Sequence, residues 1–232
     1  MIQGAVPARP TTLRQLMAHF DHTLVRPDLT ASEVRAGVLL AARLQTATAI
    51  VRQWEVRSVV SLVDKPTVIG TSIGFPHGGV TTRTKVSETV EAFEDGAGEV
   101  DVVMNIGAFL SGDVAYVARE LQQVVRAAEG HPVKVIIETG FLPIERVLEA
   151  AHLAADAGAT FVKNGTGYSP RGATVEETRM LRDSLPASVG VKAAGGIKTL
   201  DQVLALLEAG AQRIGASATE AIAREWEASQ QR

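Results

Sequence analysis

Three lysines lie inside apolar runs that are typical of buried strands. Lys134 is in VKVIIET, Lys163 in TFVKNGTG and Lys192 in VGVKAAGG. Burying a charged lysine is costly unless it is paired or neutralised, so each placement needs a reason. An internal ion pair, or a side chain that reaches the rim of the sheet, would explain any one of them. Three such lysines together favour a catalytic role. A neutral lysine amine attacks a carbonyl carbon and forms a Schiff base, which arginine cannot do.

Two carboxylates accompany these lysines. Asp101 lies in EVDVVMNIG, and Glu138 comes late in VKVIIET. In a closed barrel, inward-facing side chains of neighbouring strands converge on one axis, and catalytic groups collect toward the carboxyl ends of the strands. Lys163 and Lys192 would then lie several ångströms apart. Because two nearby ammonium groups disfavour each other's charge, we expect the pKa of at least one of them to fall toward neutrality.

Glycines follow the last two strand-like runs. The first contains Gly195 and Gly196, and the second contains Gly215 and leads to Ser217. In barrels the loops after strands seven and eight, with a helix N-terminus, commonly bind phosphate, since glycines let backbone N–H groups approach the oxygens. A lone Gly-Gly pair is more often a tight turn. Beside buried lysines, however, the pattern predicts a phosphorylated substrate.

The elements that position these residues alternate along the chain. Short apolar runs predict eight strands, at 19–25, 46–51, 67–74, 99–107, 133–139, 160–167, 189–196 and 213–217. Amphipathic stretches between them predict eight helices, at 30–44, 54–63, 81–95, 113–129, 144–157, 175–185, 200–209 and 219–227. The alternation favours an α/β fold, a single-domain (β/α)₈ TIM barrel over residues 19–228, after an N-terminal arm or helix at 1–18. A doubly wound open sheet is the alternative.

Composition excludes several classes of protein. The chain is 46% hydrophobic with a net charge of −3, so it is not expected to be disordered. It contains no cysteine, which excludes disulfides, thiolate nucleophiles and cysteine-ligated zinc. Its sequence shows neither a secretion signal, nor an apolar run of transmembrane length, nor the basic clusters of nucleic-acid binders. We expect a cytoplasmic protein with no nucleic-acid or membrane partner.

Seven segments occur in a fixed order between residues 19 and 220. They are DHTL at 21–24, IGFPHG at 73–78, EVDVVMNIG at 99–107, KVIIET at 134–139, FVK at 161–163, GAT at 172–174 and VKAAGGI at 191–197. Together they resemble the deoxyribose-phosphate aldolase family. Its members are class I aldolases on a (β/α)₈ barrel, and they reversibly cleave 2-deoxy-D-ribose 5-phosphate to D-glyceraldehyde 3-phosphate and acetaldehyde. The usual family arrangement is a homodimer or homotetramer.

The resemblance assigns roles to the residues already singled out. It implies that Lys163 forms the Schiff base, that Lys192 lowers the pKa of Lys163, and that Asp101 relays protons as acid and base. It implies no metal or other cofactor, because the iminium ion acts as the electron sink. Substrate and phosphate contacts would come from Thr23, Thr166, Gly167, Gly195, Gly196, Gly215 and Ser217. A supporting buried charge network would consist of Asp21, Lys134 and Glu138, in which Lys134 pairs with Glu138 or Asp101.

The chain departs from the family pattern at two places near the expected site. Asn164-Gly165 follows the Schiff-base lysine where the family usually has Thr-Ser, and AIVRQ at 49–53 replaces the usual Val-Cys-Val-Asn-Pro. The C-terminal residues also lack the tyrosine of some relatives. These changes bear on substrate preference. We expect Arg52 to face solvent, with a second anion contact as the alternative.

Two histidines flank Asp21 in HFDH, which resembles a metal pair. His19 and His22 have opposite parity on a strand and face opposite sides, so a shared metal is not expected. Asp21 and Thr23 share the face that would line the barrel.

Three functions stay open at this point. The first is a deoxyribose-phosphate aldolase. The second is a related Schiff-base aldolase, or a transaldolase-like enzyme, that acts on another sugar phosphate. The third is a non-catalytic phosphate-binding barrel that keeps its lysines as a buried charge network.

Overall fold

A computed structural model describes residues 6–231 of the chain. In that range eight strands alternate with helices. The strands are β1 (Phe20–Leu24), β2 (Thr48–Val51), β3 (Val68–Ile73), β4 (Glu99–Val103), β5 (Val133–Ile136), β6 (Phe161–Lys163), β7 (Gly190–Ala194) and β8 (Arg213–Ala216). The α-helices are α1 (Leu13–Met17), α2 (Ala31–Leu44), α3 (Val56–Val59), α4 (Thr82–Glu94), α5 (Ile106–Leu110), α6 (Val114–Ala127), α7 (Ile144–Asp156), α8 (Val175–Ser184), α9 (Leu200–Glu208) and α10 (Thr219–Ser229).

The sheet is a closed barrel in which all neighbouring strands are parallel. β1 pairs with β2 on one side, where Asp21 is in register with Thr48, and with β8 on the other, where Phe20 is in register with Ile214. Closure excludes the open doubly wound sheet and confirms the predicted (β/α)₈ barrel. Since every strand runs the same way, all eight carboxyl ends meet at one mouth.

The apolar core lies between the barrel and its ring of helices. Outward-facing strand residues such as Val100, Val102 and Val135 are fully buried there against helix residues such as Leu121 and Val147. Burying this apolar surface is the main force that fixes the barrel. The inside of the barrel, by contrast, contains a cluster of buried charged side chains. Each strand therefore contributes apolar side chains to the core on its outer face and polar or charged side chains to the barrel interior on its inner face.

Helix starts are fixed by side chains that the sequence places just before them. Thr30 caps α2 and Thr199 caps α9, each in a capping box with a Glu or Gln three residues later, and Asp113 caps α6. Within the described residues, no helix is both long and apolar enough to cross a membrane.

Several predicted boundaries are wrong, and three of the larger differences have a local reason. The strand expected at 99–107 ends at Val103, because the Asn105 side chain accepts a hydrogen bond from the Ala108 backbone N–H and starts α5. The strand expected at 160–167 ends at Lys163, and Gly167 beyond it adopts a φ of +88° that a strand does not allow. The helix expected at 54–63 is divided into two short 3₁₀ turns around α3.

Candidate active site

Asp101 connects the three strand lysines inside the barrel. Lys163 Nζ lies 2.8 Å and Lys192 Nζ 2.6 Å from the same oxygen, Oδ2 of Asp101. Lys134 Nζ lies 3.0 Å from the other oxygen, Oδ1. Strand register produces this convergence, because Asp101 pairs with Lys134 and Lys163 pairs with Lys192 in neighbouring strands. All four side chains are buried.

Asp21 on β1 is a second buried carboxylate that contacts these lysines. Its Oδ2 accepts a hydrogen bond from Lys192 and lies 3.3 Å from Lys134 Nζ. Its Oδ1 lies 2.6 Å from Nη1 of Arg213 on β8. Burial alone would raise the pKa of Asp21, but Lys134, Lys192 and Arg213 outweigh that effect and hold the pKa well below its usual value. Asp21 is therefore a permanent anion of the cluster.

A deeper layer of the cluster was missed by the sequence reasoning. Arg213 Nη1 also lies 3.2 Å from Glu99 Oε1 and 3.0 Å from Thr48 Oγ1. Glu99 in turn accepts hydrogen bonds from Lys134 and from Thr48. Strand alternation could have predicted the inward position of Glu99, because Glu99 lies two residues before Asp101 and therefore points to the same face of the strand.

Lys163 has the fewest carboxylate partners of the three lysines. Within residues 6–231 it pairs with Asp101 alone, whereas Lys192 pairs with two carboxylates and Lys134 with three. Burial lowers the pKa of Lys163 to about 8, opposed by Asp101 and assisted by the ammonium of Lys192. Burial acts in the same direction on Lys134, but there the attraction of the carboxylates prevails and raises the pKa. The lowered pKa expected from crowding thus falls on Lys163, with burial as its largest cause.

The balance of charge agrees with that assignment. Among the described residues the cluster contains four cationic side chains, Lys134, Lys163, Lys192 and Arg213, and three carboxylates, Asp21, Glu99 and Asp101. Buried charge is stable only when it is compensated. Loss of the proton from one lysine makes the cluster neutral, and Lys163 is the lysine that the carboxylates hold least.

A cleft of about 400 Å³ opens over Lys163 at the mouth of the barrel. Its walls come from the loops after β1, β6, β7 and β8, and they include every residue for which sequence analysis expected a substrate or phosphate contact: Thr23, Thr166, Gly167, Gly195, Gly196, Gly215 and Ser217. Gly195 has a φ of +95° and passes so close to Gly172 that a Cβ would lie 3.2 Å from the Gly172 Cα. Lys198 adds a positive charge to the same wall.

The expected place of Glu138 in the charge network is wrong. β5 ends at Ile136, so strand parity no longer aims Glu138 inward, and its backbone turns into the left-handed region at φ +52°. Its carboxylate accepts hydrogen bonds from the Thr166 N–H at 3.1 and 3.2 Å and from the Thr166 hydroxyl. Glu138 therefore fixes the loop after β6 and makes no hydrogen bond or ion pair to Lys134 in the part of the chain that the structure describes.

Glu138 also lies against the unusual Asn164-Gly165 pair. A Cβ on Gly165 would lie 2.8 Å from Glu138 Oε1, so a side chain at this position would have to displace the Glu138 carboxylate. The side-chain oxygen Oδ1 of Asn164 accepts a hydrogen bond of 2.7 Å from the Ala194 N–H, which joins the ends of β6 and β7. The pair thus supports the two strands that carry Lys163 and Lys192.

Arg52 does not face solvent, nor does it reach the cleft as an anion contact. Its side chain is 19% exposed and pairs with Glu55 at 2.6 Å. Its guanidinium also donates to the carbonyls of Arg26, Pro27 and Leu29 at 2.8–3.2 Å. The prediction is wrong because every donor is used to hold the loop after β1 against the end of β2.

The two histidines face different neighbours, as their parity predicts. His19 Nδ1 donates to the Gln212 carbonyl at 3.0 Å, and His22 Nδ1 lies 2.9 Å from Thr219 Oγ1. Residues 6–231 contain no group of three or more side chains arranged to hold a metal ion.

Comparison with known proteins identifies the family. Residues 15–223 match the family model described as DeoC/LacD family aldolase. The chain belongs to this aldolase family. A deoxyribose-phosphate aldolase of Thermoanaerobacter sp. (strain X514) is 43% identical over 210 residues, which cover 89% of this chain and 94% of that protein.

Solved structures of aldolases agree with the barrel. The structure titled "QR15, an Aldolase" is 36% identical and has a TM-score of 0.89, with 93% of this chain and 97% of that chain covered. A deoxyribose phosphate aldolase from Aeropyrum pernix, titled as a unique tetrameric structure, is 28% identical with a TM-score of 0.86 and 94% coverage of both chains. This aldolase therefore shares both its fold and its sequence family with class I aldolases.

Proposed function

We propose that this aldolase reversibly cleaves 2-deoxy-D-ribose 5-phosphate to D-glyceraldehyde 3-phosphate and acetaldehyde through a Schiff base on Lys163. The observation that carries the proposal is the Lys163 amine, which is buried at the base of the cleft, has a pKa lowered to about 8, and contacts one carboxylate. These are the properties that a lysine nucleophile requires.

The first step is attack on the substrate aldehyde. The neutral Lys163 amine adds to C1 of the open-chain sugar, and loss of water gives an iminium ion. The iminium restores the positive charge that Lys163 lost with its proton, beside the Asp101 carboxylate at 2.8 Å. The buried anions thus stabilise the charged intermediate more than the neutral amine, which favours its formation.

Asp101 is the proposed acid and base of the next steps. Acting through one water, it takes the proton of the C3 hydroxyl as the C2–C3 bond breaks, and the electron pair of that bond passes to the iminium to give an enamine. D-Glyceraldehyde 3-phosphate leaves. A proton then returns to C2, and water hydrolyses the imine to release acetaldehyde and the free amine. Proton transfer by a positioned group contributes about 10²–10⁴-fold to the rate.

Lys192 and Lys134 hold Asp101 as the anion. Burial would raise the pKa of Asp101, but its lysine neighbours outweigh this and keep the pKa well below the usual value. Lys192 also lies against the same oxygen as Lys163, so its ammonium disfavours a second positive charge there. We assign Lys192 the tuning of Lys163 and Lys134 a supporting electrostatic role.

The phosphate is proposed to bind at the loops after β7 and β8. Gly195, Gly196 and Gly215 bring backbone within reach of the cleft, and Lys198 supplies charge. α10 begins directly after β8 without a side-chain cap, so the positive end of its dipole is free for an anion. In this proposal the phosphate lies on the β7 and β8 side of the mouth, and the reacting carbons lie over Lys163.

We also propose a homodimer or homotetramer in solution. The support is the Aeropyrum pernix relative, whose title describes a tetramer, together with Trp54, which is 69% exposed on this barrel. Light scattering during size-exclusion chromatography measures the mass directly. A cytoplasmic location is proposed on chemical grounds, because a sugar phosphate is charged and remains in the compartment where it is made.

Trapping of the imine tests the proposed function. The protein is incubated with acetaldehyde and sodium borohydride, and the modified peptide is mapped by mass spectrometry. A reduced two-carbon adduct on Lys163 is expected, with none in Lys163→Met and full labelling in Lys65→Met, which removes an exposed lysine far from the cluster in the sequence. An adduct confined to another lysine, or no adduct, contradicts the assignment.

A further inference from the structure

A second cavity adjoins the cleft at the ends of β1, β2 and β3. It has a volume of about 170 Å³ and is lined by apolar side chains, among them Val25, Val51 and Phe75, and by polar ones, among them Ser72 and Gln53. Val25 also lines the main cleft, so the two spaces are neighbours. A cavity of this size holds a substituent of several heavy atoms.

Ser72 lies beside the catalytic carboxylate. It is in register with Asp101 in the neighbouring strand, and residues paired in a parallel sheet place their side chains on the same face. Asp101 Oδ2 in turn lies 2.8 Å from Lys163 Nζ. Ser72 is therefore one strand away from Asp101, the carboxylate that contacts the amine that receives the substrate aldehyde.

The hydroxyl of Ser72 is buried and has no hydrogen-bond partner among the described residues. Its neighbour Thr71 faces the other way and donates to the Val51 carbonyl at 2.9 Å. An unpaired buried hydroxyl is destabilising and is uncommon in native proteins. Because Ser72 holds no bond in its present rotamer, it can turn toward a ligand without losing one.

Other polar groups of this cavity are already engaged. The Gln53 amide donates to the Glu88 carbonyl at 2.9 Å, and the Glu88 carboxylate accepts from the Gly74 N–H at 2.7 Å. Arg52, which also lines the cavity, donates to Glu55 and to loop carbonyls. Among the described residues that line this cavity, Ser72 is thus the one with a buried polar atom that has no hydrogen-bond partner. The methyl group of acetaldehyde makes no use of such a hydroxyl.

We propose that Ser72 and this cavity form a subsite for a hydroxyl group on the carbon next to the imine, so that the enzyme also takes a hydroxylated donor aldehyde. Glycolaldehyde is the smallest such donor. In the cleavage direction the corresponding substrate is an aldopentose 5-phosphate that carries a hydroxyl at C2. This inference rests on the proposed function, since it uses the same lysine and the same carbon–carbon bond.

The chemistry balances without any further reactant. The Lys163 amine condenses with the glycolaldehyde carbonyl and releases one water, and C2 loses one proton to give a hydroxy-enamine. C2 then bonds to the aldehyde carbon of glyceraldehyde 3-phosphate, whose oxygen takes up a proton. One water hydrolyses the imine, which restores the amine and releases a pentose 5-phosphate.

Exchange of the C2 hydrogens in D₂O tests the donor half of the reaction alone. Nuclear magnetic resonance follows the loss of the C2–H signal of glycolaldehyde and of acetaldehyde in separate samples, for the wild type and for Ser72→Ala. We expect both donors to exchange with the wild type, and the glycolaldehyde-to-acetaldehyde rate ratio to fall about three- to tenfold in Ser72→Ala, as for the loss of one neutral hydrogen bond. Thr71→Val removes the adjacent outward hydroxyl and should leave the ratio unchanged.

The outcomes separate this inference from the proposed function. If the C2 hydrogens of acetaldehyde exchange and those of glycolaldehyde do not, the proposed subsite is wrong, but the proposed aldolase reaction is not contradicted. An unchanged ratio in Ser72→Ala shows that the hydroxyl meets only water, and it also overturns the subsite. Exchange of neither donor contradicts the proposed function itself. Cleavage of ribose or arabinose 5-phosphate by the wild type, weakened relative to 2-deoxyribose 5-phosphate in Ser72→Ala, supports the subsite with complete substrates.

Discussion

Lys163 and Lys192 donate to one and the same oxygen, Oδ2 of Asp101, at 2.8 and 2.6 Å. One carboxylate oxygen thus holds the proposed nucleophile and a second lysine side by side. The arrangement makes the charge of Lys163 dependent on Lys192, although the two lysines do not form a hydrogen bond with each other. It also means that Asp101 cannot change without affecting both.

The pH dependence of imine formation follows from the pKa of Lys163. Burial and the Lys192 ammonium lower this pKa to about 8, and only the unprotonated amine attacks an aldehyde. The rate of borohydride-trapped imine formation should therefore rise with pH and level off above about 8. In Lys192→Met the second ammonium is lost, so the midpoint should move to higher pH and the rate at pH 7 should fall. A midpoint that stays in place contradicts the tuning role of Lys192.

Asp101→Asn separates imine formation from bond cleavage. The amide keeps the size of the side chain but no longer acts as a base, so turnover of 2-deoxyribose 5-phosphate should fall by about 10²–10⁴-fold. Loss of the anion also removes an attraction that raises the pKa of Lys163, so the amine should remain competent. We expect the acetaldehyde adduct on Lys163 to persist in this variant. Equal loss of the adduct and of turnover would instead mean that Asp101 mainly holds the lysine in place.

Arg213→Met tests the deeper layer of the cluster. The guanidinium contacts Asp21 at 2.6 Å and Glu99 at 3.2 Å, and both carboxylates are buried. Removing one partner of a buried ion pair leaves an uncompensated charge and typically costs about 3–5 kcal/mol. Urea unfolding should show a loss of stability of this order. Arg224→Met removes an exposed arginine paired on α10 at 3.0 Å and should change stability by less than about 1 kcal/mol.

Gly165→Ala tests the fixed loop after β6. The added methyl group would lie 2.8 Å from Glu138 Oε1 and must displace the carboxylate that holds the Thr166 N–H. Since Thr166 lines the cleft, we expect a higher KM for 2-deoxyribose 5-phosphate, with the Lys163 adduct still formed from acetaldehyde. Gly79→Ala adds a methyl group at another glycine outside the left-handed region, where no atom lies within 4 Å, and controls for the change from glycine to alanine alone. An equal rise of KM in both variants would assign the effect to that change and not to the contact with Glu138.

The sequence predicts those parts of the site that depend on strand parity. The inward face of EVDVV and VKVI places Asp101 and Lys134 in the barrel, and the glycine pattern locates the cleft wall. Glu138 and Arg52 lie beyond the last paired residue of their strands, where alternation no longer determines direction. Their partners, a loop N–H and three loop carbonyls, are fixed only by the tertiary structure. The pattern of residues within one strand cannot predict such contacts.

Gly195→Ala tests the phosphate contact. At a φ of +95° an alanine is strained, and its Cβ would lie 3.2 Å from the Gly172 Cα, so the loop after β7 must move. The effect should fall on the phosphorylated end of the substrate, because hydrogen bonds to a charged group are worth about 1.5–3 kcal/mol each. We expect the kcat/KM for 2-deoxyribose 5-phosphate to fall at least about tenfold relative to that for unphosphorylated 2-deoxyribose. If both substrates lose activity equally, this loop does not bind the phosphate, and the anion must lie elsewhere on the mouth of the barrel.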